Sequence, residues 1–422
     1  MTAETAPSVS PVPAPGKSRP PAALPLLIAG GCLIAMLTFG PRSAMGFFQI
    51  PLLEEKGWDR TTFALAMAIQ NLLWGLGQPV FGAIADKFGT GRVLVASAVL
   101  YSAGLVVMAI APSPFWLHFG GGVLIGLGIA AGSFGIILAA FARSVSAQKR
   151  SIVFGLGTAA GSSGMFFFAP ISSAMINTLG WSDTLIGMAI MMAIIPVAAI
   201  ALRGKPETSG EHEALDQSIR EALVQAFRHK SYLLLASGFF VCGFQVAFIT
   251  AHFPAYISDL GLAERWAVVA IACIGFFNII GSLASGFICQ FYSKRIFLAL
   301  LYIGRSIAVT IFLLTPATPM TVTVFSIVMG LMWLSTVAPT NGLVAVMFGT
   351  RYLGMLGGIV FFSHQVGSFL GVWLGGYLYD VYGTYDPVWW LGVVLGLFAA
   401  LVHWPIREEA APALAQPVAI RP

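Results

Sequence analysis

The sequence predicts an all-α membrane protein that crosses the bilayer twelve times, as two pseudo-symmetric bundles of six helices. Three observations support this fold class. Only 9% of the residues are charged and 58% are hydrophobic, whereas about a quarter of the residues of a soluble domain are charged. The hydrophobic residues form long runs, which match the roughly 20 residues that span a bilayer. One long polar segment divides these runs into two sets of six.

The twelve hydrophobic runs, numbered here as spans 1 to 12, define the predicted topology. An even number of spans places both termini on the same side of the membrane. The predicted spans cover about 25–50, 61–85, 91–111, 115–142, 151–175, 183–203, 231–256, 264–290, 295–314, 319–347, 352–379 and 385–405.

The distribution of Lys and Arg orients the spans. Of the 22 basic residues, 17 lie in the tails or in loops on the side of the termini, three in the opposite loops and two within spans. Because loops rich in Lys and Arg stay in the cytoplasm, both termini are predicted to be cytoplasmic and the protein to lie in the inner, or plasma, membrane. The predicted organisation is a disordered cytoplasmic tail (1–24), an N-terminal bundle (25–203), a cytoplasmic linker (204–230), a C-terminal bundle (231–405) and a second cytoplasmic tail (406–422).

The linker contains one hydrophobic pattern. Ile219, Leu223 and Phe227 recur every four residues, and this spacing is typical of one apolar helix face. It predicts a short amphipathic helix on the membrane surface. A plain interdomain linker is the alternative.

A faint repeat relates the two halves of the chain. The segment 82–92 corresponds to 286–295, and the pair 161–162 corresponds to 367–368, in both cases about 205 residues later. Two similar halves around a site in the middle of the membrane are the architecture of many secondary transporters.

Several classes of function are excluded by what the sequence lacks. Its net charge of +5 comes from short loops and not from a basic patch, so no nucleic-acid partner is expected. No CxxC spacing occurs, so neither a metal site nor a disulfide framework is predicted for Cys32, Cys242, Cys273 and Cys289. There is no phosphate-binding Gly-Lys-Ser loop, HExxH motif or nucleophile elbow. The protein is therefore predicted to be neither an ATP-driven pump nor an enzyme, and to need no cofactor.

The loop between spans 2 and 3 contains the most specific motif, in which a gating role is predicted for Gly82, Asp86, Lys87, Gly89 and Arg92. Glycines allow a tight turn between two helices. Asp86 can face the positive end of a neighbouring helix and separate from it when the halves move. The motif resembles the signature loop of the major facilitator superfamily, and with twelve spans and a central linker the resemblance covers the whole chain. A helix-end charge without a gating role is the alternative for Asp86.

Span 1 resembles a narrower family. Pro41, Arg42 and Ser43 are similar to the Pro-Lys-Ser step of the monocarboxylate porters, where the substrate anion and the proton pathway of that family meet. The basic pair at 149–150, followed by glycines, alanines and Pro170 in span 5, is also similar to the porters. The resemblance implies transport of a carboxylate.

Span 8 departs from the porters. Asn278 and Ser282 stand where that family carries an Asp, which takes the proton, and an Arg, which takes the substrate. The resemblance therefore does not carry lactate or pyruvate over as the substrate.

The charges inside the spans indicate the charge of the substrate. Two basic residues lie within spans and no acidic residue lies well inside one. A charged side chain at the centre of a membrane helix costs about 2.5–3.5 kcal/mol, so an anionic substrate would supply a missing partner. We expect a small organic anion, a monocarboxylate, whose candidate ligands are Arg42, Gln70, Asn71, Gln245, Asn278, Asn341 and Arg305. Arg305 is alternatively a scaffold residue, and the neutral residues can equally hold helices together.

Proton coupling requires a group that titrates near neutral pH, and histidine is the natural one where no carboxylate is buried. His364 in span 11 and His252 in span 7 are the candidate proton carriers. Each is alternatively a neutral residue that hydrogen-bonds within the helices.

The sequence therefore predicts a monomeric secondary transporter, embedded in the lipid bilayer, that moves a small organic anion with protons by alternating access. The first alternative is an exporter of drugs or other amphiphilic compounds. The second is a transporter-like sensor, which is disfavoured because the only sizeable polar segment is residues 204–230.

Overall fold

A computed structural model describes residues 23–145, 147–203, 219–349 and 352–411. Most of both predicted tails, and residues 204–218 of the predicted linker, lie outside these ranges. Twelve helical spans follow one another in the described residues. They are Ala23–Ser43, Met45–Phe48 and Gln49–Lys56 (span 1), Arg60–Phe88 (2), Thr90–Ala109 (3), Pro114–Leu117, His118–Leu124, Ile125–Ala131 and Phe134–Ser144 (4), Ala147–Leu179 (5), Trp181–Met191 and Ile194–Ala199 (6), Lys230–Asp259 (7), Arg265–Phe291 (8), Lys294–Leu314 (9), Pro319–Met332 and Val337–Phe348 (10), Leu353–Tyr382 (11) and Asp386–His403 (12).

The predicted fold class is confirmed. Eleven spans are long and apolar enough to cross a membrane. The twelfth, span 2, has 29 residues, but Gln70, Asn71 and Gln78 lower its mean hydropathy. The predicted limits agree with the helices to within about four residues, except at the end of span 1.

Span 1 is discontinuous, whereas the sequence predicts one helix to about residue 50. Its first helix contains Pro41 and ends at Ser43, and the chain continues as a 3-10 turn and the helix Gln49–Lys56. Proline has no N–H and its ring opposes the preceding turn, so it weakens the helix at this point. The residues at the break, from Ala44 to Phe48, are buried inside the bundle.

The bundle has two polar faces. We call the face that carries Ala23, the short helix Ile219–Arg228 and Ala411 the tail face. The opposite face, with the turns after spans 1, 5, 7 and 11, is called the far face. Glycines with positive φ form these four turns, at Gly57, Gly180, Gly261 and Gly383.

Spans 2 and 11 form the main seam between the first six spans and the last six. Near the far face, a Cβ added to Gly376 would lie 2.6 Å from the carbonyl oxygen of Arg60, and in mid-bundle one added to Gly75 would lie 2.8 Å from Gln365 Cβ. Two turns closer to the tail face, or about 10 Å along the helices, a Cβ on Gly82 or Gly358 would meet no atom of the described residues within 4 Å. The seam is therefore closed at the far face and open at the tail face.

Candidate substrate site

Arg42 lies at the break in span 1 and points its side chain to span 2. Its Nη2 donates a hydrogen bond to Asn71 Oδ1 (2.6 Å), and its Cζ lies 4.8 Å from the ring centroid of Trp74. Ser43 stabilises the end of the helix by donating from Oγ to Gly40 O (2.6 Å). The Pro-Arg-Ser step thus ends the helix and holds a cation in the interior.

The guanidinium of Arg42 has no acidic partner among the residues that the structure describes. Its Nε is buried and has no hydrogen-bond partner, and in the described part of the chain no Asp or Glu oxygen lies within 4.0 Å of it. One amide and one aromatic ring neutralise a buried cation incompletely, since a buried charge needs a counter-charge and satisfied hydrogen bonds. This geometry favours an anion as the missing partner.

A small pocket surrounds Arg42 at the seam between the two sets of spans. Its volume of about 10 Å³ corresponds to no more than one water molecule, so it must widen to admit a substrate. Spans 1, 2, 7 and 11 contribute the polar residues Arg42, Gln70, Asn71 and Thr250 and the apolar residues Met45, Met67, Ala247, Ala251 and Val372. The structure thus brings together three of the predicted ligands, Arg42, Gln70 and Asn71.

An aromatic column connects Arg42 to one predicted proton carrier. The indole of Trp74 contacts Phe361 of span 11 edge-on, with ring centroids 5.1 Å apart, and Phe361 stacks on His364 at 5.8 Å. The Trp74–Phe361 contact crosses the seam just before spans 2 and 11 diverge. It therefore separates the pocket from the open tail face.

His252, the second predicted proton carrier, is fully buried between the pocket and the far face. Its Nε2 lies 2.9 Å from Val372 O, and its Nδ1 lies 3.2 Å from Tyr385 Oη and 3.3 Å from Gln49 Nε2. Because a carbonyl only accepts hydrogen bonds, Nε2 carries the ring proton and Nδ1 is an acceptor. Protonation of Nδ1 would turn this acceptor into a donor, so the contact with Gln49 Nε2 would be lost and the Tyr385 hydroxyl would have to find another acceptor for its own proton.

The far face is closed by a network centred on Arg60. Its guanidinium donates to both carboxylate oxygens of Asp259 (2.6 and 2.7 Å) and to Tyr385 Oη (2.8 Å), and it stacks 3.6 Å from the ring of Tyr379. Two parallel bonds to one carboxylate are the strongest form of ion pair. Span 2 is thereby joined to spans 7 and 11 and to the residue that precedes span 12.

Two further contacts between the sets of spans reinforce this closure. The carboxylate of Asp380 in span 11 accepts hydrogen bonds from the backbone N–H groups of Arg60 (3.1 Å) and Thr61 (2.7 Å), so it caps the start of span 2. Glu264, before span 8, accepts from Ser173 Oγ (2.6 Å) in span 5.

Arg305 is placed outside the pocket, in the interior of the last six spans. It is fully buried, and its Nη2 donates to the carbonyl oxygens of Met332 and of Trp333 (2.5 Å), where span 10 breaks. Its Nη1 lies 3.3 Å from Cys242 Sγ and 3.5 Å from Gln245 Oε1. A cation at the carbonyl end of a helix offsets the helix dipole, so these contacts stabilise the break.

The other predicted ligands also lie outside the pocket. Gln245 contacts Arg305 and donates to Gly392 O (2.8 Å). Asn278 joins the two sets of spans by donating to Ser162 Oγ (3.0 Å), and its Oδ1 accepts from Leu334 N (3.0 Å) at the break in span 10. Asn341 is exposed and donates to Val337 O in its own helix (3.2 Å).

The signature loop lies on the tail face. Gly89, with a φ of +97°, forms the turn between spans 2 and 3. Asp86, Lys87 and Arg92 are exposed, and Asp86 forms no hydrogen bond or ion pair with any residue that the structure describes. A Cβ added to Gly82, on the seam face of span 2, would meet no described atom within 4 Å. Asp86 is thus unpaired among the described residues in this conformation.

Reasoning from the sequence missed the far-face network. Arg60 is one of the three basic residues in the far-face loops, and Asp259 and Asp380 are acids at the ends of spans 7 and 11. Their location at span ends on the same face was the available signal. Nothing in the sequence indicated which acid would pair with Arg60.

Twelve helical spans around a polar pocket, joined at one face and separated at the other, define a membrane transporter. The family model described as Major Facilitator Superfamily matches residues 31–372. The chain belongs to this superfamily, as its signature loop predicts.

Similar proteins include members of the monocarboxylate transporters. The chain is 25% identical over 377 residues to an uncharacterized MFS-type transporter, YcxA, of Bacillus subtilis, covering 87% of this chain and 91% of that protein. It is 24% identical over 372 residues to monocarboxylate transporter 13 of Rattus norvegicus, covering 86% and 83%.

Among solved structures, a bacterial homologue of the human lysosomal transporter Spinster, in an inward-facing and unoccupied conformation, has a TM-score of 0.68 at 13% identity. The match covers 91% of this chain and 97% of that one. This likeness shows the fold.

Proposed function

We propose that the protein transports a small organic anion, specifically a monocarboxylate, together with a proton, by alternating access. One observation carries the proposal: Arg42 lies in a pocket between the two sets of spans and has no carboxylate partner among the described residues. A cationic substrate would be repelled there, whereas a carboxylate would form the charge-assisted bonds that the guanidinium lacks.

The lining of the pocket favours one carboxylate and an apolar body. Arg42 is its only charged residue, and its other walls are Met45, Met67, Ala247, Ala251 and Val372. A second carboxylate would be buried against methyl groups without a partner, which is costly. The relationship to monocarboxylate transporters agrees with this substrate class.

We assign the coupling proton to His252 rather than His364. Its Nε2 contacts Val372, which lines the pocket, and its Nδ1 contacts Tyr385, which belongs to the far-face network. A proton on Nδ1 would remove an acceptor for Tyr385 and place a second cation beside Arg60. Protonation would therefore weaken the closure of the far face, so a proton and the far-open conformation favour each other.

The transport cycle then alternates between two closures. In the conformation described here, the Arg60 network closes the far face, and the Trp74–Phe361 contact is the barrier between the pocket and the tail face. In the opposite conformation the network separates, the seam closes toward the tail face, and Asp86 engages a helix end of the last six spans. We place the tail face in the cytoplasm and the protein in the plasma membrane, working as a monomer with no chemical step.

Uptake into proteoliposomes tests the proposal. A panel of radiolabelled monocarboxylates, dicarboxylates and organic cations would be offered with and without an inward proton gradient. We expect saturable, gradient-stimulated uptake of one or more monocarboxylates and no uptake of dicarboxylates or cations. Uptake of cations, or of anions without any effect of the gradient, would contradict the substrate or the coupling respectively.

A further inference from the structure

An open groove of about 1220 Å³ lies on the tail face, between the helix Ile219–Arg228, the start of span 7 and residues 404–411 after span 12. It is lined by four cationic side chains and two carboxylates, giving a net charge of +2 in the groove: Arg220, Arg228, Lys230 and Arg407 against Glu221 and Glu409. The ion pair of Arg407 with Glu409 is 3.7 Å long and exposed, so it contributes little.

The wall of the groove formed by residues 404–411 is held in place by three spans. Glu408 Oε1 accepts from Ser293 Oγ (2.5 Å) and Arg295 N (2.8 Å) at the start of span 9. Arg407 N donates to Ser231 Oγ (3.1 Å) in span 7, and Ala411 N donates to Met347 O (2.9 Å) in span 10. The backbone that presents Arg407 is therefore positioned before any ligand binds, which lowers the entropic cost of binding.

Apolar groups beside the groove indicate its depth relative to the membrane. The helix Ile219–Arg228 buries Ala222 and Ala226 against the bundle, while Ile219 and Phe227 are 59% and 54% exposed on the adjoining side. Trp404, which precedes residue 405 of the groove, is 58% exposed. Amphipathic helices and Trp residues of this kind lie at the level of lipid headgroups.

We propose that this groove binds the phosphate group of an anionic phospholipid. The cations come from three separate elements and converge on one concavity, where a phosphodiester can accept hydrogen bonds from several of them. An apolar stripe next to the groove suits the acyl chains of a lipid and has no counterpart in a soluble phosphate. Basic pockets on the cytoplasmic side of membrane proteins bind anionic headgroups by this chemistry.

Native mass spectrometry of the full chain tests the proposal. The protein would be reconstituted in nanodiscs of equal phosphatidylglycerol and phosphatidylcholine, and the ratio of the two lipids that remain bound would be measured. A cation near an anionic lipid surface contributes about fivefold in affinity. We therefore expect Arg228→Gln and Arg407→Gln each to lower the phosphatidylglycerol preference about fivefold, and the double variant to lower it roughly thirtyfold.

Lys294→Gln is the matched control, because Lys294 is also a tail-face cation at the start of a span but does not line the groove. It should leave the preference unchanged. An equal loss of phosphatidylglycerol preference in Lys294→Gln would show that the effect comes from the overall charge of the tail face, and it would overturn the proposal. Glycerol phosphate added to discs of phosphatidylcholine alone tests whether the phosphate comes from a lipid or from a soluble anion. If glycerol phosphate binds specifically to the groove and the protein shows no preference between phosphatidylglycerol and phosphatidylcholine, the site belongs to a soluble anion and the lipid site is contradicted.

Discussion

Replacing Arg42 with glutamine should strongly reduce carboxylate transport without unfolding the protein. The substitution deletes the cation that lines the pocket and keeps a polar side chain, which is too short to replace the hydrogen bond to Asn71. We expect kcat/KM for uptake to fall by roughly 30- to 150-fold, because a charge-assisted hydrogen bond to the substrate contributes about 2–3 kcal/mol. Arg42→Lys keeps the charge but loses the planar guanidinium, so its kcat/KM should lie between the values for the wild type and for Arg42→Gln.

The stability of the Arg42→Gln protein should change little, because the contributions nearly cancel. The hydrogen bond to Asn71 at 2.6 Å is worth about 1.5–3 kcal/mol, and the cation–π contact with Trp74 at 4.8 Å about 1–2 kcal/mol. Against these stands the cost of about 2.5–3.5 kcal/mol for a guanidinium inside the membrane. The net effect is about 1–2 kcal/mol or less.

Arg305→Gln is the matched control, since it makes the same change at the other arginine that lies within a span. Two charge-assisted bonds to the carbonyl oxygens of Met332 and Trp333 are lost, and these carbonyls are left without that donor at a helix break. The substitution also removes the free-energy cost of a cation inside the membrane, which offsets part of this loss. We therefore expect the free energy of unfolding to fall by roughly 3 kcal/mol.

Initial uptake rates in proteoliposomes and thermal unfolding in detergent measure the two effects separately. The expected pattern is transport loss without stability loss at Arg42, and stability loss at Arg305. If Arg42→Gln transports at the wild-type rate, or if it loses as much stability as Arg305→Gln, the assignment of Arg42 as the substrate ligand is wrong.

Three further predictions concern the gates and the proton. Arg60→Gln should shift the conformational equilibrium toward the far-open form by about 5- to 30-fold, since a partly exposed bidentate pair is worth about 1–2 kcal/mol. Distances between spin labels across the far face would then increase. The double variant Arg60→Asp with Asp259→Arg restores the opposite charges and should reverse the shift. His252→Gln should abolish the stimulation of uptake by a proton gradient while counterflow of the anion persists. His364→Gln, the control, should retain the stimulation. The opposite pattern would assign the coupling proton to His364. Phe361→Ala should remove the barrier between the pocket and the tail face, so that preloaded anion is released faster from the tail face. Stopped-flow efflux from oriented vesicles measures this rate. An unchanged rate would mean that another contact limits release.

Much of the fold follows from local properties of the sequence. Hydrophobic length predicts the twelve spans, because each helix satisfies its own backbone hydrogen bonds within the bilayer. The cost of a charge in the membrane singles out Arg42 and Arg305 from their positions in the hydrophobic runs. The Ile219, Leu223 and Phe227 spacing predicts a helix where the structure has Ile219–Arg228.

The candidate site depends on contacts that no local property specifies. Arg60 pairs with Asp259, 199 residues away, and with Tyr385, 325 residues away. Which residues meet across the seam depends on how each helix is rotated and where it crosses its neighbour. For this reason the sequence could place both arginines inside spans but could not assign one to a pocket and the other to a helix break.

The sequence alone therefore determined that this chain is a transporter of the major facilitator superfamily with an uncompensated positive charge in its interior. Both the spans and the charge can be recognised from residue types alone. Burying an apolar residue in the bilayer lowers the free energy and burying a charged one raises it, by amounts that depend only on the residue and its depth. The tertiary structure decided that Arg42 faces the seam with Gln70 and Asn71, and that Arg60 closes the far face. Those decisions rest on side-chain packing between helices far apart in sequence, where the free energy depends on geometry and not on composition.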